Sequence, residues 1–157
     1  MRSFVAFIAF TAVALTGLRA ADVEFVRVWP GWRDADSFDS ISEHFTGHEN
    51  TGRQIVLRTH PDARAGFYYL VRVANHDGVQ SGAKFSLQLV APDSPDIKTY
   101  TFPVELSTGQ TVFQLGLTGP AWPNQDVHPV AWKLELLAAD GHALASSSSF
   151  LWEKPAE

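Results

Sequence analysis

The stretch that most restricts how this chain can fold is 130–152, VAWKLELLAADGHALASSSSFLW. Val130, Trp132, Leu134 and Leu136 alternate with Ala131, Lys133 and Glu135, the period of two expected of a strand with one buried face. Beyond Ala139, Asp140 and Gly141 a second run carries Leu144, Phe150 and Trp152 on one parity, with Ser146 and Ser148 between them. Two turn lengths compete. A two-residue turn at Asp140-Gly141 sends Phe150 and Trp152 to the face opposite Trp132. A three-residue loop, with Gly141 left-handed in a bulge, pairs Leu136 with Leu144, Trp132 with Ser148 and Val130 with Phe150. Only the second gathers the large apolar side chains on one face, and a one-residue slip flips a whole strand. The three-residue loop is therefore expected, with the serines leaving room for Trp132 and Leu134.

The remainder reads in the same period. Residues 23–29 (VEFVRVW) form a first strand stopped by Pro30-Gly31, and 54–59 and 66–74 form the second and third. The third is apolar on both parities, which suits a central position. In 84–90 (KFSLQLV), Phe85, Leu87 and Leu89 point inward. A hairpin through Ser107, Thr108 and Gly109 joins 97–106 to 110–117 and pairs Leu106 with Thr111. The proline-rich connection 118–129 suits a crossover between sheets. One helical pattern interrupts the strands: Phe38, Ile41 and Phe45 recur at helical spacing behind Asp34 or Asp36, giving a short helix over residues 36–46. About eight strands with no βαβ alternation make this an all-β, two-sheet antiparallel sandwich, immunoglobulin-like in outline but without that fold's cysteines. A barrel is the other architecture that the pattern admits.

The opening MRSFVAFIAFTAVALTGLRAAD has a basic start, an apolar stretch and small residues at 20–21, the make-up of a secretory signal peptide over residues 1–20. Residues 21–157 are then a single sandwich domain, exported to a periplasm or the extracellular space, with no membrane span left after cleavage. The chain contains no cysteine, so its core must stand without disulfides. The formal charge is −5, and loss of Arg2 and Arg19 makes the domain more acidic still, which argues against nucleic acid as a partner. Every arginine lies at or before Arg72 and every lysine at or after Lys84.

Three groups of residues bear on function. Trp29 and Trp32 flank Pro30-Gly31, and Trp122 lies in the long connection; brought together at one rim, they can stack on a sugar or anchor a protein interface. Arg27, Arg58 and Arg72 fall inside strands, where each must either pair with an acid, such as Asp34, Asp36, Asp39 or Glu43, or join a cluster that grips an anion. His44 and His48 are four apart with Glu43 and Glu49 adjacent, but Gly47 interrupts the helix that a metal site there needs. Asn75, Asp77, Asn124 and Asp126 are oxygen donors in two loops, of the type that turns use anyway.

No G-x-S-x-G elbow is present, and the six histidines have no partner fixed by spacing. The sequence thus points away from an enzyme, with no cofactor and no metal. The expectation is an exported, non-catalytic binding or adaptor module of the cell envelope, recognising a carbohydrate or an envelope protein. The alternatives are a small hydrolase or metal-dependent enzyme using residues 44–49, and a structural subunit of an assembly.

Overall fold

The computed structural model describes residues 22–38 and 54–153. Among the described residues, eight strands build two four-stranded sheets packed face to face. Their ranges are β1 Val23–Arg33, β2 Gln54–Arg58, β3 Gly66–Asn75, β4 Gln80–Ala91, β5 Ser94–Leu106, β6 Gly109–Thr118, β7 Ala131–Leu137 and β8 Ala143–Ser148. The first sheet runs β1-β3-β6-β2 and the second β5-β4-β7-β8. The two-sheet sandwich expected from the alternation is present.

The core lies between the sheets. Phe85, Leu87 and Leu89 of β4 are fully buried, as their parity requires, and so are Leu134 and Leu136 of β7 and Phe113, Leu115 and Leu117 of β6. Aromatic rings bridge the layers: Phe85 meets Phe113 edge-on at 5.0 Å between centroids, and Tyr69 meets Trp132 at 5.3 Å. Edge-to-face pairs of this kind add about 0.5–1.5 kcal/mol each beyond their buried area. Burial on both parities confirms β3 as an interior strand.

Four details differ from the sequence reading, each for a physical reason. Pro30-Gly31 does not stop β1. The strand continues to Arg33, with Pro30 opposite Tyr69 and Gly31 opposite Tyr68, because β1 is an edge strand, where a proline's missing donor can face the free side. A bulge between Phe25 and Arg27 shifts its register and reverses the parity of the residues after it.

Residues 97–106 and 110–117 do not form a hairpin. β5 pairs with β4 and β6 with β3, so the short Ser107-Thr108 connection steps from one sheet to the other. The apolar parity of both segments is as read; only the partner is not. Alternation reports which face is buried but carries nothing about which strand lies alongside.

The pair β2–β6 is parallel, whereas all the others are antiparallel. Strands β1 and β2 occupy opposite edges of one sheet and run in the same direction. Residues 34–53 between them are long enough for the crossover that this demands. A 3-10 turn at Ala35–Phe38 opens that connection; the rest of the helix expected over residues 36–46 lies outside the described residues.

In the closing hairpin the three-residue loop is correct. Gly141 has φ +91°, its N–H donates to the Ala138 carbonyl at 2.9 Å, and Leu137 faces Ala143. A bulge at Leu144 then slips the register by one, so Leu136 faces Ala145 and Leu134 faces Ser147. Trp132 takes Ser149, not Ser148, as its partner, through Ser149 N–H to the Trp132 carbonyl at 2.9 Å. The slip reverses the parity of everything after it. Phe150 therefore does not share the core face with Trp132. It enters a helical turn, Phe150–Glu153, and is 82% exposed, and Val130 is also exposed.

Candidate functional site

The connection between β6 and β7 positions the residues of greatest interest. It starts from a hydrogen-bonded knot at the end of β6. The buried Thr118 hydroxyl donates to the His60 carbonyl at 2.9 Å and accepts from the His60 N–H at 3.1 Å, while Thr59 Oγ1 accepts from Thr118 N–H at 2.9 Å. Gly119, with φ +57°, turns the chain into a 3-10 turn, Gly119–Ala121. Trp122 comes next and drops into the core, 4% exposed, its indole N–H donating to the Val127 carbonyl at 2.9 Å. Phe67 packs against Trp122 and His128 at 5.7 and 5.8 Å. Satisfying the indole inside the loop itself allows a tryptophan to be buried there at little cost.

Trp122 and Pro123 form a wall shared by two clefts at this end of the sandwich. The larger, about 530 Å3, lies between the β4–β5 turn and the connection and is lined mainly by Pro92, Pro120, Ala121, Trp122 and Val127. Lys98 and Asp93, 4.0 Å apart, stand among its lining residues. The second, about 450 Å3, lies on the Trp32 side, beside Ala63 and Gly119. The larger volume falls in the range of ligand clefts, and an apolar lining with a few polar groups is their usual chemistry. The prolines at 92, 120 and 123 were the available signal in the sequence, since they stiffen both loops.

The three tryptophans divide. Trp32, half-buried, and Trp122 line the smaller cleft together. Trp32 also donates its indole N–H to Asp34 at 2.9 Å. Trp29 faces Leu70, three residues from Trp32 and thus on the opposite side of β1. It lies on the outer face of its sheet, away from the clefts.

The arginines divide too. Arg27 and Arg72 face each other across β1 and β3, both exposed, with their guanidinium carbons 4.5 and 5.8 Å from the Trp29 ring centroid. Arg58 is on the far edge strand. Its guanidinium lies 4.7 Å over Phe38, and its Nε donates to the Tyr68 hydroxyl at 2.7 Å. That hydroxyl donates on to the Arg64 carbonyl at 2.6 Å, and Phe38 rests on the Tyr68 ring at 4.9 Å. Gly116 lies directly beneath Tyr68, where a Cβ would come within 2.7 Å of Cζ. Arg58 thus pins the outer face of β2 and β3.

The loop donors do not converge. Asn75 is buried at the end of β3, donating to the Gly78 and Ser107 carbonyls at 3.1 and 3.0 Å and accepting from Asp77 N–H at 3.0 Å. Asn124 accepts from Asp126 N–H in a similar turn, but at the opposite end of the sandwich, roughly 30 Å away at strand rise over β3. Among the described residues no three His, Asp or Glu side chains are grouped to hold a metal, and no helix is long and apolar enough to cross a membrane. Residues 43–49, with His44 and His48, lie outside the described residues. No family model matches the chain, and no curated protein is detectably similar to it.

Proposed function

We propose that this protein is an exported, non-catalytic binding module that docks a segment of an envelope protein at the Trp122 end of the sandwich. The observation that carries the reading is the pair of clefts sharing Trp122 and Pro123, the larger walled by prolines, alanine and valine. Trp122 is too deeply buried to offer a ring face to a sugar. An aliphatic or prolyl side chain of a peptide fits that lining better than a hydroxylated ring, because it leaves no polar group unpaired on binding. Lys98 and Asp93 at the rim can fix the orientation of such a segment through its backbone. Export rests on the amino-terminal sequence pattern.

Tryptophan emission titrated against proline- and aliphatic-rich peptides, with a panel of neutral glycans in parallel, tests this. The expected result is a saturable shift with peptides, abolished by Ala121→Glu, which puts a charge into the larger cleft. Saturation by glycans alone, or peptide binding indifferent to Ala121→Glu, refutes it. The structural-subunit reading has one observation in its favour, the exposure of Phe150 and Leu151 side by side at 82% and 53%.

A further inference from the structure

The cations of the described residues are partitioned by sheet. Arg27, Arg33, Arg58 and Arg72 lie on strands of the first sheet, with Arg64 just before β3, while Lys84, Lys98 and Lys133 lie on strands of the second. The order of arginine before lysine along the chain is thus an arrangement in space, and it endows one outer face with guanidinium groups. Beyond the bulge in β1, alternation places Arg27, Trp29, Gly31 and Arg33 on that outer face, with Arg72 directly across from Arg27.

Two like charges opposite each other in a ladder destabilise it. Among the described residues no carboxylate forms an ion pair with either: those pairs involve Lys98, Lys133 and His142. Glu24, the nearest acid along β1, lies across the bulge opposite Ala74. What the two guanidinium groups do share is the Trp29 ring, at 4.5 and 5.8 Å. Stacking on an aromatic face engages the flat side of a guanidinium and leaves its N–H edge free for bidentate donation. Both arginines are exposed, so those edges are accessible.

We propose that Arg27, Trp29 and Arg72 form a binding site for an oxyanion group, a carboxylate or sulfate, carried on a saccharide or free in solution. The two guanidinium groups grip the oxygens and the half-buried indole presents an apolar flank beside them. The site is separate from the Trp122 clefts and does not depend on them.

Calorimetry on the whole protein would use three probes: a sulfated disaccharide, a uronate disaccharide and inorganic sulfate, with the neutral parent disaccharides as reference. Saturable binding of at least one anion, weakened tenfold or more by Arg72→Gln or Arg27→Gln and falling between 50 and 300 mM NaCl, is expected. The side-chain Nε–Hε resonances of Arg27 and Arg72 should move during the same titration, and Lys84→Gln should leave the affinity unchanged. If sulfate binds as well as the disaccharides, the ligand is a free oxyanion; if only the disaccharides bind, it is an acidic glycan. Neutral sugars binding equally well, no anion binding at all, or unaltered affinity in folded Arg72→Gln each overturn the proposal.

Discussion

Tyr69 is fully buried at the centre of the core, and its hydroxyl has no hydrogen-bond partner among the described residues. Burial pushes the phenol's pKa far above its ordinary range, which favours the neutral form. A buried hydroxyl left unsatisfied costs about 1–3 kcal/mol. Tyr69→Phe keeps the ring contacts with Phe67 and Trp132, so chemical denaturation should show stability unchanged or raised by about 1 kcal/mol. A clear loss would mean that the hydroxyl has a partner in solution. Asp140 provides the contrasting case, an exposed carboxylate held below the usual aspartate range. The backbone N–H of His142 donates to it at 3.1 Å and the His142 ring approaches at 2.5 Å. A depressed folded value contributes to the hairpin above the unfolded pKa and is lost as pH falls through the folded one. A carboxyl 13C titration should place the Asp140 midpoint below that of an unperturbed aspartate.

Among the elements, the connection between β6 and β7 depends most on polar contacts. Thr118→Val keeps the shape and removes the hydroxyl that both accepts from and donates to His60, so two part-buried hydrogen bonds to the His60 backbone are lost. Unfolding midpoints should fall by the equivalent of about 1–3 kcal/mol, and amide exchange should quicken along residues 59–60 and 118–122 ahead of the β4 core. The closing hairpin depends instead on a backbone angle. Gly141 stands at φ +91° with open space around the position of a Cβ, so Gly141→Ala meets no clash and costs only conformational strain, about 1–2 kcal/mol. A larger loss would show that the bulge at Leu144 moves with the turn.

At the scale of the molecule, the partition of arginine and lysine between the sheets, among the described residues, puts guanidinium groups on the outer face of the first sheet. The aromatic ring between Arg27 and Arg72 is what makes the first face more than a solvated one. In the turn after β8, Phe150 is the most exposed large apolar side chain among the described residues, and Leu151 is exposed beside it. If they form a subunit contact, light scattering should show an oligomer that Phe150→Ser dissociates without lowering the melting temperature. A monomer at all concentrations removes the structural-subunit reading.

The amino-acid sequence by itself determined the fold class, the buried parity of β4, β6 and β7, the length of the closing turn and the crossover after β6. All of these are local: a period of two and a glycine at a left-handed position specify them without reference to the rest of the chain. It also held the residues of both candidate sites, but not their grouping. Three residues of separation placed Trp29 and Trp32 on opposite sides of β1, and a bulge set which side each took. Only the tertiary structure decided which strands are neighbours, that β2 runs parallel to β6, that Phe150 leaves the core, and that Arg27 joins Arg72 while Arg58 does not. Alternation records burial one residue at a time, whereas pairing and convergence depend on contacts between residues distant in the chain.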